Sequence, residues 1–192
     1  MNKNLLLILS GCLTAALLQG CVGAIAAGGA AGASAAADRR TMGTIVEDQS
    51  IEIKAKRAIN ADGELSDQAR IGTTSFNGVL LLTGQAPTEE ARKRAAEKVQ
   101  GIEKVQKVHN EIVVGKPISL QTASRDTWIT TKVKSMLLGA KGISANDIKV
   151  VTDNGVVYLM GLVTRSEADI ASDIASRTDG VERVVRIFEY ID

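Results

Sequence analysis

The sequence predicts an α+β fold made of two tandem units, each running α-β-β-α-β as a three-stranded sheet covered by two helices. Three observations lead there. A repeat comes first: FNGVLLLTG at 76–84 returns as DNGVVYLMG at 153–161, GIEKV at 101–105 returns as GVERV at 180–184, and DQSIEIKAKRAI from Asp48 returns as DTWITTKVKSML from Asp126. Each copy also holds one Asn-Gly pair, Asn77-Gly78 or Asn154-Gly155, between two β-rich runs. Asn-Gly accepts the positive φ angles of a two-residue turn, so both pairs predict hairpins. Finally, helical periodicity flanks each hairpin, which leaves the helices on one face of each small sheet.

The first helix of each unit is amphipathic, with Ile51, Ala55, Ala58 and Ile59 on one stripe, and Ile129, Val133, Met136 and Leu137 on the other. The hairpin strands follow, and Gly84 and Gly161 are expected to end the second strand of each. A second helix opens at Pro87-Thr88-Glu89-Glu90 in one unit and at the capping box Thr164-x-x-Glu167 in the other, and stops at Gly101 or Gly180. VQKVHNEIVV and VERVVRIFEYI read as the closing strands. The units therefore span 44–116 and 124–192, with 117–123, which contains Pro117, as a linker.

Ahead of the repeat, MNKNLLLILSGCLTAALLQGC has a basic start at Lys3, an apolar run from Leu5 to Leu18 and small Gly20 before Cys21. This is the layout of a secretory signal over 1–20. The run is interrupted by Ser10, Gly11 and Thr14 and falls short of the roughly 20 apolar residues that cross a bilayer. LLQGC resembles the bacterial lipobox, which implies acylation of Cys21 and cleavage before it; Gln19 departs from the usual small or apolar residue there. Val22 rather than Asp after the cysteine implies transport to the outer membrane. Residues 21–43, nearly all Gly and Ala until Asp38, read as a flexible tether. With Cys12 removed and Cys21 acylated, no thiol pair remains for a disulfide.

Two such units, each with a Gly closing its second strand and a Gly-apolar-x-x-Val segment leading into the last, resemble the BON domain, a module named for bacterial outer-membrane-associated and nodulation proteins. With the lipobox and the Gly/Ala tether ahead of them, the resemblance covers essentially the whole chain. It implies binding of anionic phospholipid, support of outer-membrane integrity and enrichment at division sites, from a lipid-anchored position on the periplasmic face of the outer membrane. Its alternative is an adaptor whose domains bind envelope proteins or peptidoglycan enzymes.

Composition narrows the remaining classes. The chain has 23 basic and 22 acidic residues, and loss of Lys3 with the signal balances them, while aromatics make up only 3%. Neither a basic field nor a stacking platform for nucleic acid is present. One histidine, His109, in a closing strand, and no free thiol give no zinc set and no catalytic constellation. Asp126, Asp153 and Glu167 are read as helix cap, turn residue and capping-box partner. No enzyme, no cofactor, no metal and no small-molecule substrate are expected.

The binding residues are expected on the first helix of unit two. At about 100° per residue, Trp128, Thr131, Ser135 and Leu138 fall on an arc away from the apolar stripe, with Lys132 and Lys134 flanking it. An outward Trp and Leu beside ammonium groups suit the headgroup boundary of an anionic membrane. The competing reading puts Trp128, the sole tryptophan, in the seam between the units. The repeat supplies a control, since Trp128 corresponds to Ser50 and Leu138 to Asn60.

Overall fold

The computed structural model describes residues 38–192. The signal peptide, Cys21 and most of the expected tether lie outside them.

Unit one begins with α1 (Met42–Asn60), which Thr41 caps by accepting the Thr44 N–H at 3.1 Å. Its inward stripe is Ile51, Ala55 and Ile59, all buried, with Ala58 half-buried at the margin. A short helix follows, α2 (Gly63–Gln68), capped by Asp62 and pinned by buried Leu65. One apolar residue in six carries no period, which is why the sequence pattern did not predict it. Strands β1 (Arg70–Phe76) and β2 (Val79–Ala86) form the first hairpin, with Asn77 at φ 51° and Gly78 at φ 75°. Next comes α3 (Glu89–Gln100), capped by Thr88. The closing strand is broken in two, β3 (Lys107–Asn110) and β4 (Val113–Val114), both parallel to β2. The Asn110 side chain makes the break: its oxygen accepts the Ile112 N–H at 3.3 Å while its amide donates to the Arg92 carbonyl at 3.1 Å.

Unit two repeats the order. Helix α4 (Leu120–Gly139) starts where Ser119 accepts the Thr122 N–H, so residues 120–123, expected in the linker, are helical. A one-turn helix at Ala145–Asp147 leads into β5 (Ile148–Asp153) and β6 (Val156–Val163), then α5 (Arg165–Ser176) with its capping box, and β6 pairs in parallel with β7 (Arg183–Tyr190). Gly84 and Gly161 do not end their strands; each lies two residues inside, where a backbone passes close. A Cβ on Gly84 would sit 1.9 Å from the Arg70 carbonyl oxygen, and φ there is +114°.

Alternation along the central strands separates three cores. Leu80 and Leu82 of β2 pack under α1 and α3, while Val157 and Leu159 of β6 pack under α4 and α5. The intervening residues point the other way. Phe76 and Leu81 of unit one meet Tyr158, Met160 and Ile187 of unit two, so the sheets lie face to face and the order of layers is helices, sheet, sheet, helices. Burial in this seam pushes the Tyr158 phenol up to about 12. Its polar margin is formed by Lys149 Nζ on Glu52 at 2.6 Å, the Gln85 amide donating to Asp153 at 2.8 Å, and the Asn77 amide donating to Glu189 at 2.8 Å.

The last residues of the expected tether belong to this folded body. Arg39 donates two hydrogen bonds to Glu167, at 2.8 and 2.9 Å, and one to the Leu162 carbonyl, and its guanidinium lies 3.2 Å from Asp147. Arg40 reaches the other unit, pairing with Asp48 at 2.9 Å and covering the Phe76 ring at 3.9 Å. Two arginines thus hold residues 38–41 down on both units, where a count of Gly and Ala saw only low complexity.

Candidate functional site on the outer face of the second unit

Helix α4 is placed by Ile129, Val133 and Leu137, all essentially inaccessible, packed on Val157 and Leu159. Its inner end is further tied by Asp126, which is not a helix cap. Buried within α4, the Asp126 carboxylate accepts the N–H groups of Asn154 and Gly155 at 2.8 and 2.9 Å. A two-residue hairpin turn leaves its own two amides outside the ladder, and burial would orphan them without such a partner. Asp48 does the same in unit one for Asn77 and Gly78, and also accepts from Ser75 Oγ at 2.7 Å. Asp153, by contrast, sits at the end of β5, and burial raises its carboxyl despite the nearby Arg70.

With that inner face spent, the opposite arc of α4 looks outward. Trp128 is 52% exposed and Leu138 72% exposed, so the tryptophan is outside the seam, which is filled by Phe76, Leu81, Tyr158, Met160 and Ile187. Thr131 and Ser135 are exposed between them. The Thr131 hydroxyl donates back to the Thr127 carbonyl at 2.9 Å. Leu120, 89% exposed, extends the same line to the start of the helix; reading 117–123 as a linker concealed it. Met136, expected on the inward stripe, is 40% exposed at its margin, with its sulfur 3.5 Å from the Thr178 hydroxyl.

The two lysines differ. Lys132 Nζ lies 4.7 Å from the Trp128 ring centroid and 2.7 Å from Asp179, whose carboxyl that contact holds below the usual range. Its charge is partly matched, and its stem and ammonium steady the indole. Lys134 is exposed and has no acidic partner among the described residues. It borders a cleft of about 270 Å³ with Leu137, Leu138, Ala145, Asn146 and Ile148. The arrangement is a ridge with large apolar side chains and a free ammonium group beside it. No helix among the described residues is long and apolar enough to cross a membrane.

Unit one is not as bland as the repeat suggested. Ser50 and Asn60 do occupy the positions of Trp128 and Leu138, yet Met42, Val46 and Ile53 are 61%, 62% and 52% exposed along α1. Their spacing puts them on one outward stripe. Because α1 and α4 form opposite outer layers of the sandwich, the two stripes face away from each other. His109 lies half-buried on β3, where burial lowers its pKa.

The BON domain model matches residues 47–116 and 125–191. The chain is 40% identical to the "Outer membrane lipoprotein DolP" of Haemophilus influenzae over 82% of this chain and 81% of the relative. It is 38% identical to the "21 kDa hemolysin" of Actinobacillus pleuropneumoniae over 80% of this chain and 79% of that one. With the "Osmotically-inducible protein Y" of Escherichia coli it shares 29% identity over 74% of this chain and 72% of the relative.

Proposed function

The chain belongs to the BON-domain family, as a DolP-like lipoprotein with two such domains, and on that premise we propose that it is an outer-membrane protein, held by an acylated Cys21, whose second BON domain binds anionic phospholipid through α4. The observation that supports this reading is the paired exposure of Trp128 and Leu138 on a helix whose inward residues already complete a core. Transfer of an exposed indole and a leucine into the headgroup boundary releases water at roughly 25 cal/mol per Å² of apolar surface. Lys134 adds attraction worth about 1 kcal/mol beside an anionic surface. Lys132 orders the tryptophan for insertion and contributes less charge, because Asp179 answers it. Neither contribution alone would hold a protein on a membrane; together they give a weak, reversible contact that favours anionic headgroups, and the acyl anchor makes it lasting and fixes its orientation. In the cell this contact supports envelope integrity and concentrates the protein at division sites.

Co-sedimentation of residues 22–192 with anionic and neutral vesicles tests the reading. Anionic vesicles should retain the protein, neutral vesicles much less, and Trp128→Glu or Leu138→Glu should abolish retention with an unchanged circular dichroism spectrum. Changes at Ser50 or Asn60 should leave it intact. Undiminished binding by folded Trp128→Glu would refute the assignment. In that event the adaptor reading takes precedence. It has its own support in the exposed Met42, Val46 and Ile53 stripe, which points away from any membrane that α4 faces and is open to an envelope protein.

A further inference from the structure

Residues 38–41 join the two domains at a particular place. The Arg39 backbone N–H donates to Asp147 at 2.8 Å, and its side chain grips Asp147 and Glu167. Asp147 belongs to the one-turn helix whose Ala145 and Asn146 line, with Lys134 and Leu138, the cleft at the end of α4. The chain therefore enters the folded body beside the Leu138 end of the outward ridge. Arg40, one residue on, turns to unit one, where Asp48 and Phe76 receive it. The grip is strong for a surface-proximal segment: Asp147 is 2% exposed, and the hydrogen bond from Arg39 holds the Glu167 carboxyl down to about 2.

From this we infer that Arg39 is a positioning residue for membrane contact. By clipping residue 39 to Asp147 and Glu167 it fixes the side on which the acylated terminus leaves the body, so that the anchor and α4 meet the same leaflet and the α1 stripe faces the aqueous space. The inference rests on the reading of α4 as the phospholipid-binding helix. It needs no new affinity, because an anchor that emerges on the binding side raises the effective concentration of membrane at α4, whereas one that emerges elsewhere must double back.

The sequence provides the tools for a test. In a chain that begins at Cys21 this residue is the only thiol, and Trp128 is the only tryptophan. Cys21 is coupled to a maleimide-headgroup lipid in vesicles of phosphatidylglycerol and phosphatidylcholine containing spin-labelled lipid, and quenching of Trp128 reports contact. Coupled wild type should be strongly quenched, and coupled Arg39→Glu about threefold less. Glu167→Gln, which keeps a capping-box side chain while weakening the clip, should fall between them. Uncoupled Cys21→Ser forms with and without Arg39→Glu should be quenched equally at high vesicle concentration. Equal quenching of the coupled wild-type and Arg39→Glu proteins would overturn the inference, as would equal losses in coupled and uncoupled forms, which would reduce Arg39 to a prop of the fold. If uncoupled wild type is never quenched, the α4 reading fails and the inference falls with it.

Discussion

Replacing Asp126 by Ala should be among the most damaging single changes to unit two, although the residue touches neither the ridge nor the seam core. Its carboxylate is 4% exposed and accepts two backbone N–H groups, at 2.8 and 2.9 Å, from the positive-φ residues Asn154 and Gly155. Hydrogen bonds to a charged acceptor contribute about 1.5–3 kcal/mol each, and the truncated site leaves both amides short of a partner. A loss of about 3–5 kcal/mol follows, a large share of the 5–15 kcal/mol typical of a folded domain. Asp126→Asn keeps one acceptor oxygen but turns an amide donor toward the second N–H, and should cost about half as much. Asp48→Ala should exceed both, because Ser75 and Arg40 lose their partner as well. Urea unfolding followed by circular dichroism gives the free energies, and exchange of the Gly155 amide gives the local effect. A loss under 1 kcal/mol for Asp126→Ala, or an unchanged Gly155 exchange rate, would refute the reasoning.

Gly84→Ala should cost at least about 3 kcal/mol, since the new Cβ meets the Arg70 carbonyl on left-handed backbone; Gly161→Ala, with its nearest contact at 2.6 Å, should cost less in the same urea unfolding. Arg39 holds the Glu167 carboxyl at about 2, below its usual 4.5, so this contact stabilises fully above pH 4.5 and is lost as pH falls toward 2; acid titration of Arg39→Gln should show that part of the acid limb flattened. Cys21→Ser should remove the mass of the acyl chains and shift the protein from the membrane to the soluble fraction, with unchanged domain melting.

The two hairpins and the two inward helix stripes were legible in the sequence because both depend on local rules: Asn-Gly accepts positive φ wherever it stands, and a three-four spacing of apolar residues needs a surface to bury against. Trp128 and Leu138 were legible as outward for the same reason, by exclusion from that stripe. What stayed hidden depends on partners distant in the chain. Asp126 has the appearance of a cap until Asn154 and Gly155 fold back onto it. The alternation of β2 and β6 announces two buried faces, yet only the tertiary structure tells that the second face of each is covered by the other. Arg39 and Arg40 close a run of alanines, and no periodicity links them to Glu167 or Asp48. The exposed stripe Met42, Val46 and Ile53 could have been found by applying to α1 the same wheel used for α4.

The face-to-face seam has an evolutionary consequence. A solitary unit of this kind would have one sheet face bare, and would have to find a twin or cover itself. Here duplication supplied the twin on the same chain, so Phe76 and Leu81 are complemented by Tyr158, Met160 and Ile187 without dependence on concentration. Once the inner faces were committed to one another, the outward arcs of the helices took no part in the seam, although Glu52 of α1 still reaches across to Lys149. Ser50 and Trp128, or Asn60 and Leu138, descend from the same two positions and no longer resemble each other, whereas Asp48 and Asp126, which hold their own hairpins, have not changed. Positions whose surroundings differ between the units differ inside as well as outside, for the seam residues Phe76 and Leu81 stand where unit two has Asp153 and Tyr158.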